Sequence, residues 1–496
     1  MKKIKLYSIA FALLFAVSSC TLTSYEFGQV NSSVFPSTER NMLDLVTANA
    51  YGAFRNDGYS GAFNAATGFH LLADMATDFG MCSWGEGDWG PLVYANFQNN
   101  EGARNPRRTW SDFLHWISRM EMTLYRISDM EGVNEDLKRR SIAELELAQG
   151  WLAFLLWDFY GGLVIADLET LKSPQDVVIL PRKSSDETIQ YIETKLRSAI
   201  NSGALAKSYT IGNADYGRFT QGLAQMILLK LYMQTHQWSK AIEAGRELMK
   251  PEYGYALVTN PGNAGTAYAN IFSAANEGNR ETIWAVRSLQ QFQGNIWYDH
   301  VISWGGYKMT WNFYQLFAAD DQRNGPEVVW MNPAGQEASE TDGVLPVKYD
   351  MQNRVGGTSY TDWIVYRYAD AITLLAEAIV KQGNTITPEA INLLNQVRTR
   401  AGLTAYTATN FTGVDDFVNK LLWERAFEFW YEGTRRQDLI RNNKYVEVMA
   451  AKALSFNRVD NITRLGQNAH RFPLPDSAIN EFNKGGFENQ QNPGYN

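Results

Sequence analysis

The sequence predicts a mostly helical protein, built from paired helices that carry long, loop-rich insertions. Helical spacing of apolar residues begins near residue 41, where Met42, Leu45 and Val46 share one face. Residues 218–250 show the recurring unit: a long apolar helix, a tight turn at His236 and a second helix with alanines at close-packing positions. Helix pairs of this length are typical of tetratricopeptide-like units, which bury their apolar faces only by stacking on a neighbour.

Three further pairs bring the predicted scaffold to about four tetratricopeptide-like units. They occupy residues 137–161 with 185–200, 363–384 with 387–403, and 415–433 with 434–445. In the pair formed by residues 363–384 and 387–403, Thr387 is predicted to cap the second helix, and Pro388 is predicted to take the first position of that helix. In the last pair, Gly433 is predicted to end the first helix, and Thr434 with Gln437 to open the second through a capping box.

Two insertions interrupt this helical pattern. Residues 52–108 and 254–352 are rich in Gly, Asn and aromatic residues, and the second also contains several prolines. Short β pieces are predicted at "ETIWAVRS" and "VVWM" in the second insertion. Long irregular segments within a compact chain are more often functional than decorative, so we expect the working surface to lie here.

The N-terminus predicts export and lipid attachment. Residues 1–19 have a basic start followed by an apolar run that is too short to span a bilayer. The segment "AVSSC" resembles a bacterial lipobox, which implies cleavage before Cys20 and lipidation of this residue. An ordinary cleaved signal with an incidental cysteine is the alternative. Residues 20–40 are then a polar, lipidated tether, and residues 41–496 form one domain.

Charge and composition narrow the classes of partner. The formal net charge is −8 and no block is rich in Lys or Arg, so nucleic acid is not an expected partner. The chain contains 15 Trp and 25 Tyr, and such rings either fill a core or offer flat apolar faces to a ligand. Cys82 is the only cysteine besides Cys20, so we predict no intrachain disulfide and interpret Cys82 as a buried small apolar residue.

Enzyme and metal motifs are absent or incomplete. The sequence has no HExxH, GxSxG or Walker A motif, and its five histidines are scattered. Residues 85–90 match GxGxxG, but Pro91 follows instead of a helix start. Residues 320–325 resemble the beginning of a calcium loop whose twelfth position is Met331 instead of Glu. We therefore predict no catalytic residue, no metal site and no cofactor.

The run "ERAFEFWYEGTRRQDLIR" is the part of the sequence in which charged and aromatic residues are most densely interleaved. Glu424, Glu428 and Glu432 are predicted to share one helix face, where like charges repel unless arginines offset them. Arg435 and Arg436 follow beyond the predicted corner. A catalytic carboxylate pair and a buried ion-pair network that braces two helices both explain this pattern. We adopt the structural interpretation, because apolar residues surround the charges.

Aromatic residues in the two insertions are the predicted ligand-binding groups, because their spacing does not fit a helical core stripe. Aromatic faces stack on the C–H faces of sugar rings, while nearby amides and charged groups bind the hydroxyls. The alternative is that the loops fold back and bury their own rings. The stacking residues predicted are Trp84, Trp89, Tyr94, Trp297, Tyr298 and Trp304, and the hydrogen-bonding residues predicted are Arg55, Asn56 and Asn295.

Three C-terminal motifs resemble one known family. The segments "RYADAITLLAEAIVKQGN…AINLLNQVRTRAGL", "WERAFEFWYEGTRRQDLIR" and "FPLPDSAINEFN…NQQNPGYN", in this order, are similar to the SusD/RagB family, as is the lipobox. The resemblance extends over the mature chain and implies a SusD-like fold of four tetratricopeptide-like helix pairs. It also implies an outer-membrane lipoprotein of Bacteroidetes-type bacteria, anchored through Cys20 and facing the exterior.

The function implied by this resemblance is binding without catalysis. Family members capture oligosaccharides, or in some cases peptides, and pass them to a SusC-like TonB-dependent transporter that they cover as a lid. From the residues alone, two alternatives stay open: a helical glycoside hydrolase, and a peptide-binding or purely structural lid of the transporter.

Overall fold

Long helices make up most of the described chain. The computed structural model describes residues 36–55, 61–64, 68–84, 89–94, 104–173, 178–290, 294–330, 343–458 and 470–495. Its α-helices are α1 (Glu39–Asn49), α2 (Phe69–Met75), α3 (Gly90–Val93), α4 (Arg104–Ser128), α5 (Glu135–Tyr160), α6 (Leu168–Leu171), α7 (Ser185–Asn201), α8 (Gln221–Gln234), α9 (Trp238–Leu248), α10 (Ala267–Ile271), α11 (Trp311–Tyr314), α12 (Tyr368–Gly383), α13 (Pro388–Arg400), α14 (Val414–Phe429), α15 (Arg435–Arg441), α16 (Tyr445–Ser455) and α17 (Asp476–Lys484).

Short strands pair two by two. They are β1 (Gly80–Cys82), β2 (Thr282–Val286), β3 (Tyr307–Met309), β4 (Val329–Trp330), β5 (Leu345–Pro346), β6 (Arg354–Val355), β7 (Thr358–Ser359) and β8 (Trp363–Arg367). All four pairings, β1–β3, β2–β8, β4–β5 and β6–β7, are antiparallel. Strands β2 and β4 fall at the two predicted β pieces, so the predicted mostly helical fold with short β pieces is confirmed.

The long helices stack in sequence. Helix α4 packs on α5, α5 on α7, α7 on α8, α8 on α9, and α9 on α12, which also contacts α13 and α14. Two glycines allow close approach between these helices. A Cβ at Gly150 would lie 2.9 Å from Cγ of Leu196, and a Cβ at Gly245 would lie 3.1 Å from Cβ of Leu375. The four predicted helix pairs are therefore parts of one continuous stack.

Turn and cap residues define the pairs as the sequence indicates. His236 adopts a left-handed conformation with φ of 56° between α8 and α9. Asn384 does the same after α12, with φ of 44°. The Thr387 side chain accepts a hydrogen bond from the backbone N–H of Ala390, and Pro388 takes the first position of α13.

Two predicted boundaries are wrong. Helix α4 begins at Arg104, inside the segment assigned to the first insertion. Residues Trp363–Arg367, assigned to a helix, form β8 and pair with β2. All five side chains of β8 are buried, and the apolar run that precedes Arg367 fits a strand covered on both faces as well as it fits a buried helix.

The predicted corner after α14 is also wrong in detail. The helix ends at Phe429, because Trp430 has an extended ψ of 136° and Tyr431 a left-handed φ of 58°. Glu432 therefore does not share a helix face with Glu424 and Glu428. The Thr434 side chain makes no capping hydrogen bond, so the predicted capping box is absent.

Several predictions concern the N-terminal segment. The predicted signal peptide, Cys20 and the tether up to residue 35 lie outside the described residues. Cys82 is buried and forms no disulfide, as predicted. Among the described helices, none combines the length and the apolar character that a membrane span requires.

Candidate functional site

The two insertions meet along one short sheet. Strand β1 of the first insertion pairs with β3 of the second, with Cys82 opposite Tyr307. The chain continues the contact beyond the strand, because Ser83 donates from its backbone N to Gly306 O at 3.0 Å. Its hydroxyl donates to Gly305 O at 3.0 Å. This pairing brings together residues more than two hundred positions apart in sequence.

Trp84 and Trp304 lie at the open end of this sheet. We call the surface that they form the aromatic platform. Trp304 is 50% exposed, whereas Trp84 is half-buried. Their ring centroids lie 6.1 Å apart with an interplanar angle of 60°. The indole N–H of Trp84 donates to the backbone O of Trp304 at 3.4 Å. Each insertion thus contributes one partly exposed aromatic ring to the same surface.

Buried groups hold the platform from below. A Cβ at Gly306 would lie 1.9 Å from the Trp84 ring, so only a glycine allows the indole to rest on the backbone. The buried His300 ring lies 5.2 Å from Trp84 and 4.8 Å from Trp304, measured between centroids. Burial lowers the pKa of His300, which keeps the imidazole neutral at pH 7. The platform is therefore backed by uncharged groups.

Tyr298 and two charged residues flank the platform. A single π-helical turn, Asp299–Ser303, separates Tyr298 from Trp304. The guanidinium of Arg354 lies 4.0 Å from the centroid of the half-buried Tyr298 ring and donates to Gly356 O at 2.7 Å. The Asp299 carboxylate rests on Gly357, where a Cβ would lie 2.0 Å from it. These groups supply a donor and an acceptor next to aromatic faces.

Arg354 was not predicted from the sequence, although a signal for its position exists. The two glycines of "RVGGTS" connect β6 to β7, and a Gly-Gly pair between short strands indicates a hairpin. Periodicity gives no indication that this hairpin lies beside Tyr298.

Three of the predicted ligand-binding residues are buried. Trp89 is 2% exposed, Trp297 is 1% exposed and Asn295 is 2% exposed. The Trp297 ring packs within 5.0 Å of Trp363 and 5.5 Å of Tyr431, measured between centroids. At these positions the loops bury their own side chains, so the described conformation offers no surface there for a ligand.

Asn295 has a structural role that its burial requires. Its side-chain amide donates to Thr361 O at 3.1 Å and to Ser288 Oγ at 3.2 Å. Its backbone exchanges hydrogen bonds with Ser359. A buried amide with these partners fixes the hairpin against the second insertion.

The remaining predicted residues are Tyr94, Arg55 and Asn56, and none of them is part of the aromatic platform. Tyr94 is half-buried, and its ring packs 5.3 Å from Phe456 and lies under the guanidinium of Arg458 at 4.9 Å. Arg55 is exposed at the end of a 3-10 turn. Asn56 lies outside the described residues. The structure thus brings Trp84, Trp304 and Tyr298 to neighbouring elements, but places Tyr94 against a different helix.

The charged C-terminal run forms a buried ion-pair network. Arg367 contacts Glu428 at 2.5 Å, Glu281 at 2.7 Å and Glu432 at 2.6 Å. Arg400 contacts Glu281 and Glu428 from another helix. Burial alone raises the pKa of Glu428, but the guanidinium groups of Arg400, Arg367 and Arg323 lower it to about 2. This carboxylate stays ionised and enclosed.

Burial closes the described side chains of the network to a sugar. Glu424, Glu428 and Arg367 are at most 2% exposed. A cavity lined by His70, Asp158 and other groups has a volume of only about 30 Å³, far below the roughly 300–1,000 Å³ of small-molecule sites. Burial lowers the pKa of His70 to about 3, so this imidazole is neutral. The geometry supports the structural interpretation of the run.

Within the described ranges, no group of three or more His, Cys, Asp or Glu side chains is arranged to hold a metal ion.

A stack of tetratricopeptide-like pairs with irregular insertions and short β pieces is the architecture of a SusD-like protein. The solved surface glycan-binding protein A from Bacteroides fluxus matches with a TM-score of 0.75 at 19% identity, over 93% of this chain and 100% of that one. The same protein from Bacteroides thetaiotaomicron, in complex with laminarihexaose, matches with a TM-score of 0.73 at 19% identity, over 92% and 100%.

Sequence comparisons agree with the fold. The model of the SusD family matches residues 335–495. A SusD-like protein of Formosa agariphila is 23% identical over 387 residues, which cover 68% of this chain and 73% of that protein. The starch-binding protein SusD of Bacteroides thetaiotaomicron is 32% identical over 151 residues, which cover 28% of this chain and 24% of that protein.

The chain is similar to the SusD/RagB family in its fold and over residues 335–495, as its C-terminal motifs predict. Glycan-binding proteins of the SusD family are non-catalytic, which agrees with the prediction that this chain is not an enzyme.

Proposed function

We propose that this protein binds oligosaccharides on the aromatic platform at the cell surface and delivers them, chemically unchanged, to a SusC-like TonB-dependent outer-membrane transporter. The observation that carries this proposal is the joint presentation of Trp84 and Trp304 by two separate insertions. A half-exposed tryptophan, fixed on a buried base, is costly to leave in water and well suited to an apolar face of a ligand.

The chemistry of the platform favours a polyhydroxylated ligand. The C–H faces of sugar rings stack on the indole rings. Beside them, the Asp299 carboxylate accepts hydrogen bonds from sugar hydroxyls and the Arg354 guanidinium donates hydrogen bonds to them. Such ligands need stacking and hydrogen bonds together, because their hydroxyls must replace the bonds they made with water. Tyr298 extends the aromatic surface and is braced by Arg354.

The names of structural relatives support glucans as the first ligands to test. One relative was solved with laminarihexaose, and another is described as a laminarin-binding SusD-like protein. A curated relative is described as a starch-binding protein. Because the sequence identity between this chain and these structures is low, the similarity shows a shared fold. The ligand of this chain is therefore a separate hypothesis.

Anchoring at the outer membrane is part of the proposal. It rests on the basic start and apolar run of residues 1–19, on lipidation of Cys20 and on a tether over residues 20–40. The relatives described as surface glycan-binding proteins support a location at the cell surface. Transfer to a SusC-like transporter is the partner function that the family resemblance implies.

The test is calorimetric titration with laminarihexaose, maltohexaose and cellohexaose. We expect at least one glycan to bind, and Trp304→Ala to weaken it by about 2 kcal/mol, or about thirtyfold in Kd. Trp423→Ala is the matched control, because Trp423 is also partly exposed, at 39%, but lies on α14. Equal Kd values for the wild type and Trp304→Ala would contradict the proposal.

Product analysis on the same mixtures distinguishes the alternatives. We expect each oligosaccharide to be recovered unchanged, whereas release of shorter sugars would indicate a glycoside hydrolase. Binding of no glycan, with normal capture of the transporter, would instead favour a peptide-binding or structural lid.

A further inference from the structure

We propose that the helical scaffold carries a second saccharide-binding pocket, separate from the aromatic platform. The pocket lies between α4, α7 and the connecting segments around residues 165–168 and 180–183, and has a volume of about 410 Å³. Small-molecule sites in proteins typically have about 300–1,000 Å³. It shares no lining residue with the platform, which is built on the insertions.

The lining of the pocket includes polar groups. Glu121 accepts hydrogen bonds from Lys195 at 3.0 Å and from Gln149 at 2.9 Å, both through its Oε2 atom. Its Oε1 atom has no hydrogen-bond partner among the described residues and is an acceptor available to a ligand. The hydroxyls of Ser118 and Tyr191, which also line the pocket, make no hydrogen bond within the described part of the chain.

The Tyr191 hydroxyl is a donor at neutral pH. Burial, followed by the nearby Glu121 and Glu146 carboxylates, raises the pKa of Tyr191 above its ordinary value. The hydroxyl therefore keeps its proton and can donate it to a ligand oxygen. The pocket thus presents hydroxyl donors and a carboxylate acceptor close to one another.

Apolar side chains complete the lining. They are Ile117 on α4, Ile165 before α6 and Leu180 before α7. A sugar ring combines an apolar C–H face with a rim of hydroxyls, so it matches a pocket that is lined by both apolar and hydrogen-bonding side chains. A purely apolar ligand would leave Glu121 Oε1 and two hydroxyls without partners.

The balance of charge favours a neutral ligand. Four ionisable side chains other than tyrosine line the pocket, two acidic (Glu121 and Asp167) and two basic (Lys183 and Lys195). Glu121 and Lys195 neutralise each other as an ion pair at 3.0 Å. An anionic or cationic ligand would find no excess of opposite charge there, whereas a neutral saccharide needs none.

A second pocket on the same chain would serve a polymeric ligand. A glycan that bridges two sites binds more tightly than either site alone, because the second contact forms within the complex. We therefore expect the pocket to bind short saccharides, or segments of a longer glycan chain. This expectation does not depend on which ligand the platform binds.

Ligand-observed NMR with laminaribiose, maltose and cellobiose tests the proposal on the full mature chain. Wild type and Trp304→Ala should both give saturable transfer to at least one disaccharide. Ser118→Phe, which places a ring in the pocket from α4, should abolish the signal that remains in Trp304→Ala. Tyr191→Phe, which removes only one hydroxyl and so preserves the fold, should weaken it at least threefold.

The outcomes separate this proposal from that for the platform. If Trp304→Ala gives no saturable signal with any of the disaccharides, or if its signal is unchanged by both Ser118→Phe and Tyr191→Phe, the pocket proposal is wrong. If Trp304→Ala binds as the wild type does and the pocket variants lose binding, the pocket stands and the platform proposal fails.

Discussion

Replacement of Glu428 by glutamine tests the role assigned to the buried charge network. Glu428 contacts Arg367 at 2.5 Å and Arg323 at 3.5 Å, and it also contacts Arg400. Glutamine keeps the shape of the side chain but removes the negative charge. Arginines that stay ionised are then left in the interior with one counter-charge fewer.

The magnitude follows from the pKa. The difference between the ordinary value of 4.5 and about 2 corresponds to about 3 kcal/mol at neutral pH. Removal of one partner of a buried ion pair costs roughly 3–5 kcal/mol, which agrees. Because the folded-state pKa is depressed, this stabilisation is present above the unfolded pKa and is lost as the pH falls towards 2.

Urea unfolding followed by tryptophan fluorescence measures the effect. We expect Glu428→Gln to lose about 3 kcal/mol of unfolding free energy at pH 7, and its deficit against the wild type to shrink between pH 4.5 and 3. Glu169→Gln is the control, because Glu169 is 84% exposed and its ion pair with Lys172, at 3.2 Å, lies at the surface. Equal stability of Glu428→Gln and wild type at pH 7, or a deficit independent of pH, would refute the reasoning.

Three further substitutions test the platform and the scaffold. Gly306→Ala should displace Trp84, since its Cβ would lie 1.9 Å from the ring, and calorimetry should show glycan binding weakened, as is expected for Trp304→Ala. Gly357→Ala should move the Asp299 carboxylate, 2.0 Å from the new Cβ, and raise Kd in the same assay. Arg435→Ala should lower the melting temperature and cost about 2 kcal/mol, because the Asp78 carboxylate loses its ion pair at 2.7 Å with the buried guanidinium.

Matched controls make these results decisive. Gly413→Ala should leave binding unchanged, because a Cβ there meets nothing within 4 Å. Arg40→Ala should leave the melting temperature unchanged, because Arg40 is 83% exposed. Unaltered binding in both platform variants would contradict the supporting role of the glycines. An Arg435→Ala variant of normal stability that no longer binds glycan would contradict the structural role of the charged run.

The scaffold could be predicted because its signals are local. Helical spacing, the left-handed turn at His236 and the cap at Thr387 each act within a few residues, and each appears in the structure. The strand Trp363–Arg367 could not be distinguished from a buried helix, because its first four residues form a short apolar run that fits either element. The corner at Glu432 depends on Arg367 and Lys348, which contact it from distant parts of the chain.

For the candidate site, the sequence predicted the two insertions that form it, but not which of their aromatic residues are exposed. Composition identified both insertions as aromatic, but it gave no means of separating Trp304, which is half exposed, from Trp297, which is 1% exposed. That distinction depends on the β1–β3 pairing, which joins positions more than two hundred residues apart. Local patterns contain no information on contacts at such separation.

The most direct test of glycan capture by the platform is a crystal structure of the mature protein with the oligosaccharide that binds most tightly in calorimetry. The account predicts sugar rings against the exposed faces of Trp84 and Trp304, with hydroxyls hydrogen-bonded to Asp299 or Arg354. A fully occupied ligand elsewhere on the molecule, with both tryptophans uncovered, would contradict it.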